Sequence, residues 1–75
     1  MDNMLHVGDK VMWRGTFGKD APLPAHVTCI EKTERPNQKE GSTVEAISWD
    51  DIDCSVIDLD NGHWAYGDQI SKEAL

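Results

Sequence analysis

Val-Ile-Asp-Leu-Asp-Asn-Gly-His-Trp-Ala-Tyr, residues 56–66, is the stretch of sequence that decides the fold. Apolar residues alternate with polar ones up to Asn61-Gly62, and apolar residues resume after it. Asn and Gly both tolerate a positive φ, which a type I′ turn requires at its two central residues. The stretch therefore predicts a β-hairpin with a two-residue loop.

The predicted loop also fixes which residues of the two strands face each other. It pairs Asp60 with His63 and Leu59 with Trp64. The resulting apolar face carries Ile57, Leu59, Trp64 and Tyr66. We expect this face to lie in the core, while Asp60 and His63 form an exposed pair that contributes about 0–1 kcal/mol. A slip of one residue would exchange the two faces.

Length and composition restrict the architecture to one domain, residues 1–75. A 75-residue chain with 39% hydrophobic residues buries only roughly 60% of the surface that it exposes when unfolded. The core of such a domain supplies about 3–5 kcal/mol. We therefore expect the few large aromatic side chains to be structural before they are functional.

The charge of the chain bears on its partners. Fourteen acidic residues against seven basic ones give a net charge of −7. Binding to a phosphate backbone depends on clustered Lys and Arg, so a nucleic-acid partner is not expected. The charge is compatible with a basic protein partner, and solubility alone would also explain it.

Targeting signals and cysteines indicate a cytoplasmic protein with reduced thiols. Met1-Asp2-Asn3-Met4 has neither a basic flank nor an apolar run, and no stretch approaches the roughly 20 apolar residues of a membrane span. We expect no membrane association. Cys29 and Cys54 are expected to be free thiols that pack as small hydrophobic residues.

The remaining sequence predicts further short strands. Val11 and Trp13 are placed on one face of a first strand, and residues 15–24, with two glycines and two prolines, form a long loop. Residues 26–33 predict a second strand. Its alternation fails between Val27 and Ile30, which indicates a bulge or a strand buried on both sides.

The second half of the chain begins with a polar excursion at residues 34–41. Ser48-x-x-Asp51 resembles a helix cap and predicts a short helical turn near residues 48–52. Residues 67–70 predict a tight turn, followed by a short strand or a frayed tail. The prediction is an all-β domain of about four or five short strands, and closing the sheet into a small barrel would protect its edges.

The order of these parts resembles the SH3-like barrels, including Tudor-type domains. The resemblance rests on Val7-Gly8-Asp9-Lys10-Val11, on the strand at residues 27–30, on Val56-x-x-Leu59-Asp60-x-Gly62 and on Gln69-Ile70. It implies five short antiparallel strands, a long first loop and a short helical turn before the last strand. The longer insertion from Glu34 to Asp53 departs from that plan.

A second resemblance is to small bacterial and phage proteins of uncharacterised function. They carry Met-Trp-Arg-Gly near the start and Leu-Asp-Asn-Gly-His-Trp-Ala-Tyr-Gly near the end, and residues 12–15 and 59–67 match these motifs here. This resemblance implies no activity.

Catalysis, metal ions and other cofactors are not expected. Asp58-x-Asp60 begins like an EF-hand loop, but the chain places Gln69 where the bidentate Glu is required. The candidate zinc ligands have neither a Cys-x-x-Cys nor a His-x₃-His spacing. These candidates are His6, His26, Cys29, Cys54 and His63. A nucleophilic cysteine would need a basic environment, which a chain of net charge −7 offers little of.

The aromatic residues carry the functional hypothesis. In Tudor-type barrels, the resemblance implies a cluster of aromatic side chains that binds a methylated cation, and the candidates are Trp13, Phe17, Trp64 and Tyr66. The predicted register places Trp64 and Tyr66 in the core instead. Phe17 and Pro22-Leu23-Pro24 then form the favoured docking surface for a peptide or protein.

We therefore expect a non-catalytic protein- or peptide-interaction module, monomeric or weakly self-associating. The predicted binding surface comprises Trp13, Phe17, Leu23, Trp64 and Tyr66. One alternative is an acidic protein that imitates nucleic acid and occupies a basic protein. It would use the clustered residues Asp50, Asp51, Asp53, Asp58 and Asp60. The other is a structural accessory protein that assembles with itself through an exposed edge strand.

Overall fold

The fold consists of short β-strands and two 3-10 helices in the computed structural model, which describes residues 3–15 and 21–72. The strands in this part of the chain are β1 (Met4–His6), β2 (Lys10–Trp13), β3 (Leu23–Lys32), β4 (Ser42–Val44), β5 (Ala46–Ser48), β6 (Ser55–Leu59), β7 (Trp64–Tyr66) and β8 (Ile70–Lys72). The first 3-10 helix is Trp49–Cys54 and the second is Gly67–Gln69. The all-β class is confirmed, but the expected four or five strands were too few.

The strands form two sheets. The larger sheet has the strand order β7-β6-β3-β2-β8, with β4 paired to β3, and the smaller one pairs β1 with β5. All pairings are antiparallel. The first and last strands of the larger sheet, β7 and β8, are joined directly by the second 3-10 helix.

Strand β3 is the centre of the larger sheet because it pairs with β2, β4 and β6. Its register with β6 shifts between Val27 and Cys29, which confirms the predicted irregularity as a bulge. Beyond the bulge, Cys29 pairs with Asp58 and Glu31 pairs with Val56. The strand also begins at Leu23, inside the segment predicted as loop, and residues 16–20 lie outside the described residues.

The core is aliphatic. Its most completely buried large side chains are Leu5, Val11, Val27, Ile30 and Ile57. Trp13, Trp49 and Ile52 pack against this core while remaining partly buried. Trp13 and Trp49, two of the aromatic residues expected to be structural, therefore contribute to the core from its border.

The hairpin loop differs from the prediction by one residue. Asp58 pairs with Trp64, Ile57 with Ala65 and Val56 with Tyr66. The Gly62 N–H donates to the Leu59 carbonyl, the Leu59 N–H donates to the His63 carbonyl, and Gly62 has φ +84°. This is a three-residue loop whose last residue is left-handed, as in a G1 bulge, and not a type I′ turn.

The change of register exchanges the two faces of β7. Ala65 is completely buried against Ile57, whereas Trp64 is 48% exposed and Tyr66 is partly buried. The prediction that Trp64 and Tyr66 share the core face with Ile57 and Leu59 is therefore wrong. Both rings lie instead on the outer face of the sheet, with Val56 and Asp58.

The segment between β3 and β6 contains the predicted helical turn. The Ser48 hydroxyl accepts a hydrogen bond from the Asp50 N–H at 3.1 Å, which caps the first 3-10 helix. The helix extends to Cys54, two residues beyond the predicted end. The polar excursion at residues 34–41 contains no strand or helix.

Candidate interaction surface

Two aromatic rings form the centre of a surface on the outer face of the β6–β7 hairpin. Trp64 and Tyr66 are two residues apart on β7, so both side chains point away from the core. Their ring centroids are 5.2 Å apart and their planes are nearly perpendicular, at 89°. Edge-to-face contact of this kind is favourable and holds both rings in position.

The end of β7 is fixed by a glutamine. The Tyr66 N–H donates to the Gln69 Oε1 at 3.0 Å, and the Gln69 Nε2 donates to the Arg14 carbonyl at 3.1 Å. The Arg14 N–H donates in turn to the Gln69 carbonyl at 3.0 Å. Because Arg14 follows β2, these bonds tie the end of β7 to the end of β2, a strand that is not its neighbour in the larger sheet.

A groove of about 380 Å³ runs beside Trp64. It is lined by Glu31, Lys39, Val56, Asp58 and Trp64. The bulge in β3 contributes to this composition, because the register beyond it places Glu31 beside Val56 on the outer face. The groove therefore combines an exposed indole with two carboxylates, a composition that suits a positively charged group.

One of the lining residues of this groove is a cation that lies over the indole. The Lys39 Nζ lies 5.9 Å from the centroid of the Trp64 ring, within the range of a cation–π interaction. Lys39 belongs to the polar segment at residues 34–41. This segment therefore approaches the outer face of the hairpin.

A second depression of about 310 Å³ lies beside Tyr66. Its other lining residues are Asn37, Asp68 and Gln69. Asn37 has φ +60°, a left-handed conformation that Asn tolerates better than most residues, and the chain turns there toward the hairpin. Each ring of the aromatic pair thus has a residue of the 34–41 segment beside it.

The predicted binding residues do not form one cluster. Trp64 and Tyr66 are together, but Trp13 stacks on His63, with ring centroids 4.9 Å apart and planes inclined by 22°. Leu23 pairs with Trp13 and is exposed. Phe17 lies outside the described residues. Among the described aromatic contacts, none joins Trp13 to Trp64 or Tyr66.

Two charged residues of the groove, Glu31 and Lys39, were not among the predicted binding residues, whereas Asp58 was one of the aspartates of the mimicry hypothesis. Asp58 lies on the polar face of β6, as predicted, but its neighbour across the hairpin is Trp64 and not Ala65. No register was predicted for Glu31, so its face was left open. Lys39 lies in a segment with no periodicity, and nothing in the sequence indicates that it lies over Trp64. Only the tertiary structure brings the three together.

Asp60 has a different partner from the predicted one. Its Oδ1 accepts from the His26 N–H at 3.0 Å, and its Oδ2 lies 3.3 Å from the His26 Nδ1. The backbone hydrogen bond is the main cause of a lowered pKa of Asp60, and the His26 side chain adds to it against partial desolvation. The predicted pair of Asp60 with His63 is wrong, since His63 stacks on Trp13.

This arrangement predicts how Asp60 titrates. We expect the pKa of Asp60 to lie below its ordinary value of 3.8 and to stay below it in His26→Ala, because residue 26 still donates its N–H. Because the pKa is lowered by folding, the carboxylate stabilises the protein above the ordinary pKa, and this contribution is lost as pH falls through the lowered one. NMR titration of the Asp60 carboxyl carbon measures both proteins.

The control for this titration is Asp60→Asn, which should remove the corresponding step from the acid unfolding curve. A pKa of Asp60 at 3.8 in His26→Ala would contradict the assignment of the shift to the backbone donor. It would attribute the effect to the imidazole instead.

Within residues 3–15 and 21–72, no group of three or more His, Cys, Asp or Glu side chains is arranged to hold a metal ion. In the same residues, no helix has the length and apolar character needed to cross a membrane. Cys29 and Cys54 are free, partly buried thiols.

Comparison of the chain with protein-family models, with curated proteins and with solved structures found no significant match.

Proposed function

We propose that this protein is a non-catalytic interaction module that binds a protein or peptide through the outer face of the β6–β7 hairpin. The observation that carries the proposal is the half-exposed Trp64 in an acidic groove. Trp is the residue most enriched among those that dominate binding energy at protein interfaces. A small domain that leaves a Trp exposed loses the stability that burying it would provide.

The proposed scaffold is an SH3-like barrel. It is supported by the sheet order, in which the two edge strands β7 and β8 follow each other in the chain. It is also supported by the second 3-10 helix, which immediately precedes the last strand. In such a barrel, the hydrogen bonds between Arg14 and Gln69 connect the end of β2 to the turn between β7 and β8.

The groove also favours a basic partner. Glu31 and Asp58 line the groove together with Trp64, and the net charge of the chain is −7. Complementary charge steers association and selects against acidic partners. The aspartates of the nucleic-acid mimicry hypothesis are dispersed: Asp50, Asp51 and Asp53 lie on the first 3-10 helix, and Asp60 is paired with His26. Their separation favours a local acidic groove over an extended imitation of a phosphate backbone.

Trp64→Ala tests the proposed surface. Decapeptides selected from a random displayed library on the wild-type protein should bind Trp64→Ala at least about tenfold more weakly, as expected for a hot-spot residue. The melting temperature should change little, since substitutions at exposed positions usually alter stability by about 0.5 kcal/mol or less. Fluorescence polarisation measures binding, and circular dichroism measures melting.

Leu23→Ala is the matched control, because Leu23 is as exposed as Trp64 but lies on β3 beside Trp13. It should leave peptide binding unchanged. Loss of binding in Leu23→Ala, together with normal binding in Trp64→Ala, would move the contact surface to the β2–β3 side. Equal binding by both variants and the wild type would reject both surfaces.

A further inference from the structure

The segment at residues 34–40 covers part of the proposed binding surface. Lys39 reaches the Trp64 ring, and Asn37 lines the depression beside Tyr66. Val56 lies on the same outer face as these rings, yet it is only 7% exposed. Val56 is therefore almost completely buried on this face, where it lines the groove, while Trp64 remains half exposed.

The described hydrogen bonds of this segment are local. The Thr33 hydroxyl donates to the Arg35 carbonyl, and the Gln38 Nε2 donates to the Glu40 carbonyl, both at 2.8 Å. The segment is attached at its ends, where the Thr33 N–H donates to the Cys54 carbonyl and Gly41 packs against the Lys32 backbone. Its middle can therefore be displaced without breaking a sheet hydrogen bond.

Another cation can replace Lys39 in its contact with the Trp64 ring. The ammonium group meets an exposed ring beside two carboxylates, and an exposed cation–π contact stabilises by only about 0.5–1 kcal/mol. A second lysine or an arginine meets the same chemistry at the same place. The contact between Lys39 and Trp64 thus shows that a cationic side chain is accepted over this ring. Lys39 itself already takes that place.

We propose that residues 34–40 form a displaceable lid in which Lys39 is an internal occupant of the groove, competing with a lysine or arginine side chain of the partner. The inference rests on the proposed function and adds to it the class of side chain recognised and a means of regulation. Removal of Lys39 opens the site, and a partner cation takes the position over Trp64 between Glu31 and Asp58.

Lys39→Ala and Lys32→Ala form a matched pair for the test. Each removes one positive charge, but Lys32 ends β3 away from the Trp64 ring. The probe is a Gly/Ser decapeptide with one central lysine, titrated into labelled protein by NMR. The Kd of Lys39→Ala should be about two- to fivefold lower than that of Lys32→Ala, which is the cation–π contribution expressed as an affinity ratio.

When the N-terminus of both probes is acetylated, a decapeptide with Nε-acetyl-lysine at the centre should not bind measurably, because it then carries no positive charge. Equal affinities of Lys39→Ala and Lys32→Ala would overturn the lid, while wild-type binding that depends on Trp64 would preserve the proposed function. Equal binding of the acetylated probe would overturn recognition of a cation. If neither the wild type nor Lys39→Ala binds the lysine probe, the inference fails, and the library selection still decides the proposed function.

The contact between Lys39 and Trp64 can also be measured by NMR in the protein alone, without a partner. The ε-methylene protons of Lys39 should resonate slightly upfield of their usual position because they are bonded next to the Nζ that lies over the Trp64 ring, and they should return to it in Trp64→Ala. Unshifted Lys39 resonances in the wild-type protein would contradict the internal occupant.

Discussion

Gly67→Ala is expected to remove most of the stability of the protein. Gly67 is buried at the start of the second 3-10 helix, and a Cβ there would overlap the Ile52 carbonyl group and lie 2.6 Å from the Ser55 Oγ. The Ser55 hydroxyl cannot withdraw freely, because it donates to that carbonyl at 2.6 Å. The substitution should cost about 3 kcal/mol or more, comparable to the whole stability of a domain of this size. Urea denaturation followed by circular dichroism measures the loss.

Gly8→Ala is the control for this prediction. Gly8 has φ +97°, but a Cβ at this position meets no atom within 4 Å. Its replacement should therefore cost only the strain of a left-handed alanine, about 1 kcal/mol. If Gly67→Ala proved no less stable than Gly8→Ala, the tight packing of the second 3-10 helix against the first would be refuted.

The contact at Gly67 shows what sequence alone does not reveal. The tight turn predicted at residues 67–70 is the 3-10 helix Gly67–Gln69, and β8, one of the two predicted alternatives, already begins at Ile70. The reason for a glycine at that place is a close approach by Ile52, fifteen residues earlier in the chain. A close approach between distant segments depends on tertiary packing, so the residues of the turn alone do not predict it.

The hairpin illustrates a different limit of local patterns. Both possible loops require glycine in the left-handed region at Gly62, so Asn61-Gly62 is compatible with either. The structure uses Asn61 as a side-chain acceptor, since its Oδ1 accepts from the His63 N–H at 2.9 Å. This local bond favours the three-residue loop, and the one-residue difference exchanges the faces of Trp64 and Ala65.

The small side chain of Ala65 was the feature that indicated the buried face of β7. The prediction gave more weight to the large aromatic residues on either side of it. The larger sheet needs a small side chain opposite Ile57, because β3 on its other side already contributes Ile30 at the same level. Leu5 from β1 and Ile47 from β5 supply further bulk to the core. Because aliphatic side chains fill the core, Trp64 is not needed there and lies on the surface. Its neighbour Lys39 was unpredictable, because the polar segment that carries it has no periodic pattern.

Ile57→Ala is expected to destabilise the protein by about 3 kcal/mol, within the usual range of about 2–5 kcal/mol for such truncations. Ile57 has no exposed surface and lies between Ile30 and Ala65 on the central strands. The cavity has no adjacent flexible residue to fill it, because β3 and β7 hold both sides in register. Urea denaturation measures the change, and Ile57→Val should cost only about 0.5–1.5 kcal/mol.

The comparison of Ile57→Ala with Trp64→Ala tests the register of the whole hairpin. With the three-residue loop, Ile57 lies in the core and Trp64 lies on the surface. Ile57→Ala should therefore destabilise the protein much more than Trp64→Ala, although it removes fewer atoms. With a two-residue loop, Trp64 would join Ile57 on the buried face, and Trp64→Ala would cost about 3–5 kcal/mol. A larger loss of stability in Trp64→Ala than in Ile57→Ala would therefore refute the observed register. It would also remove the exposed indole on which the proposed binding surface depends.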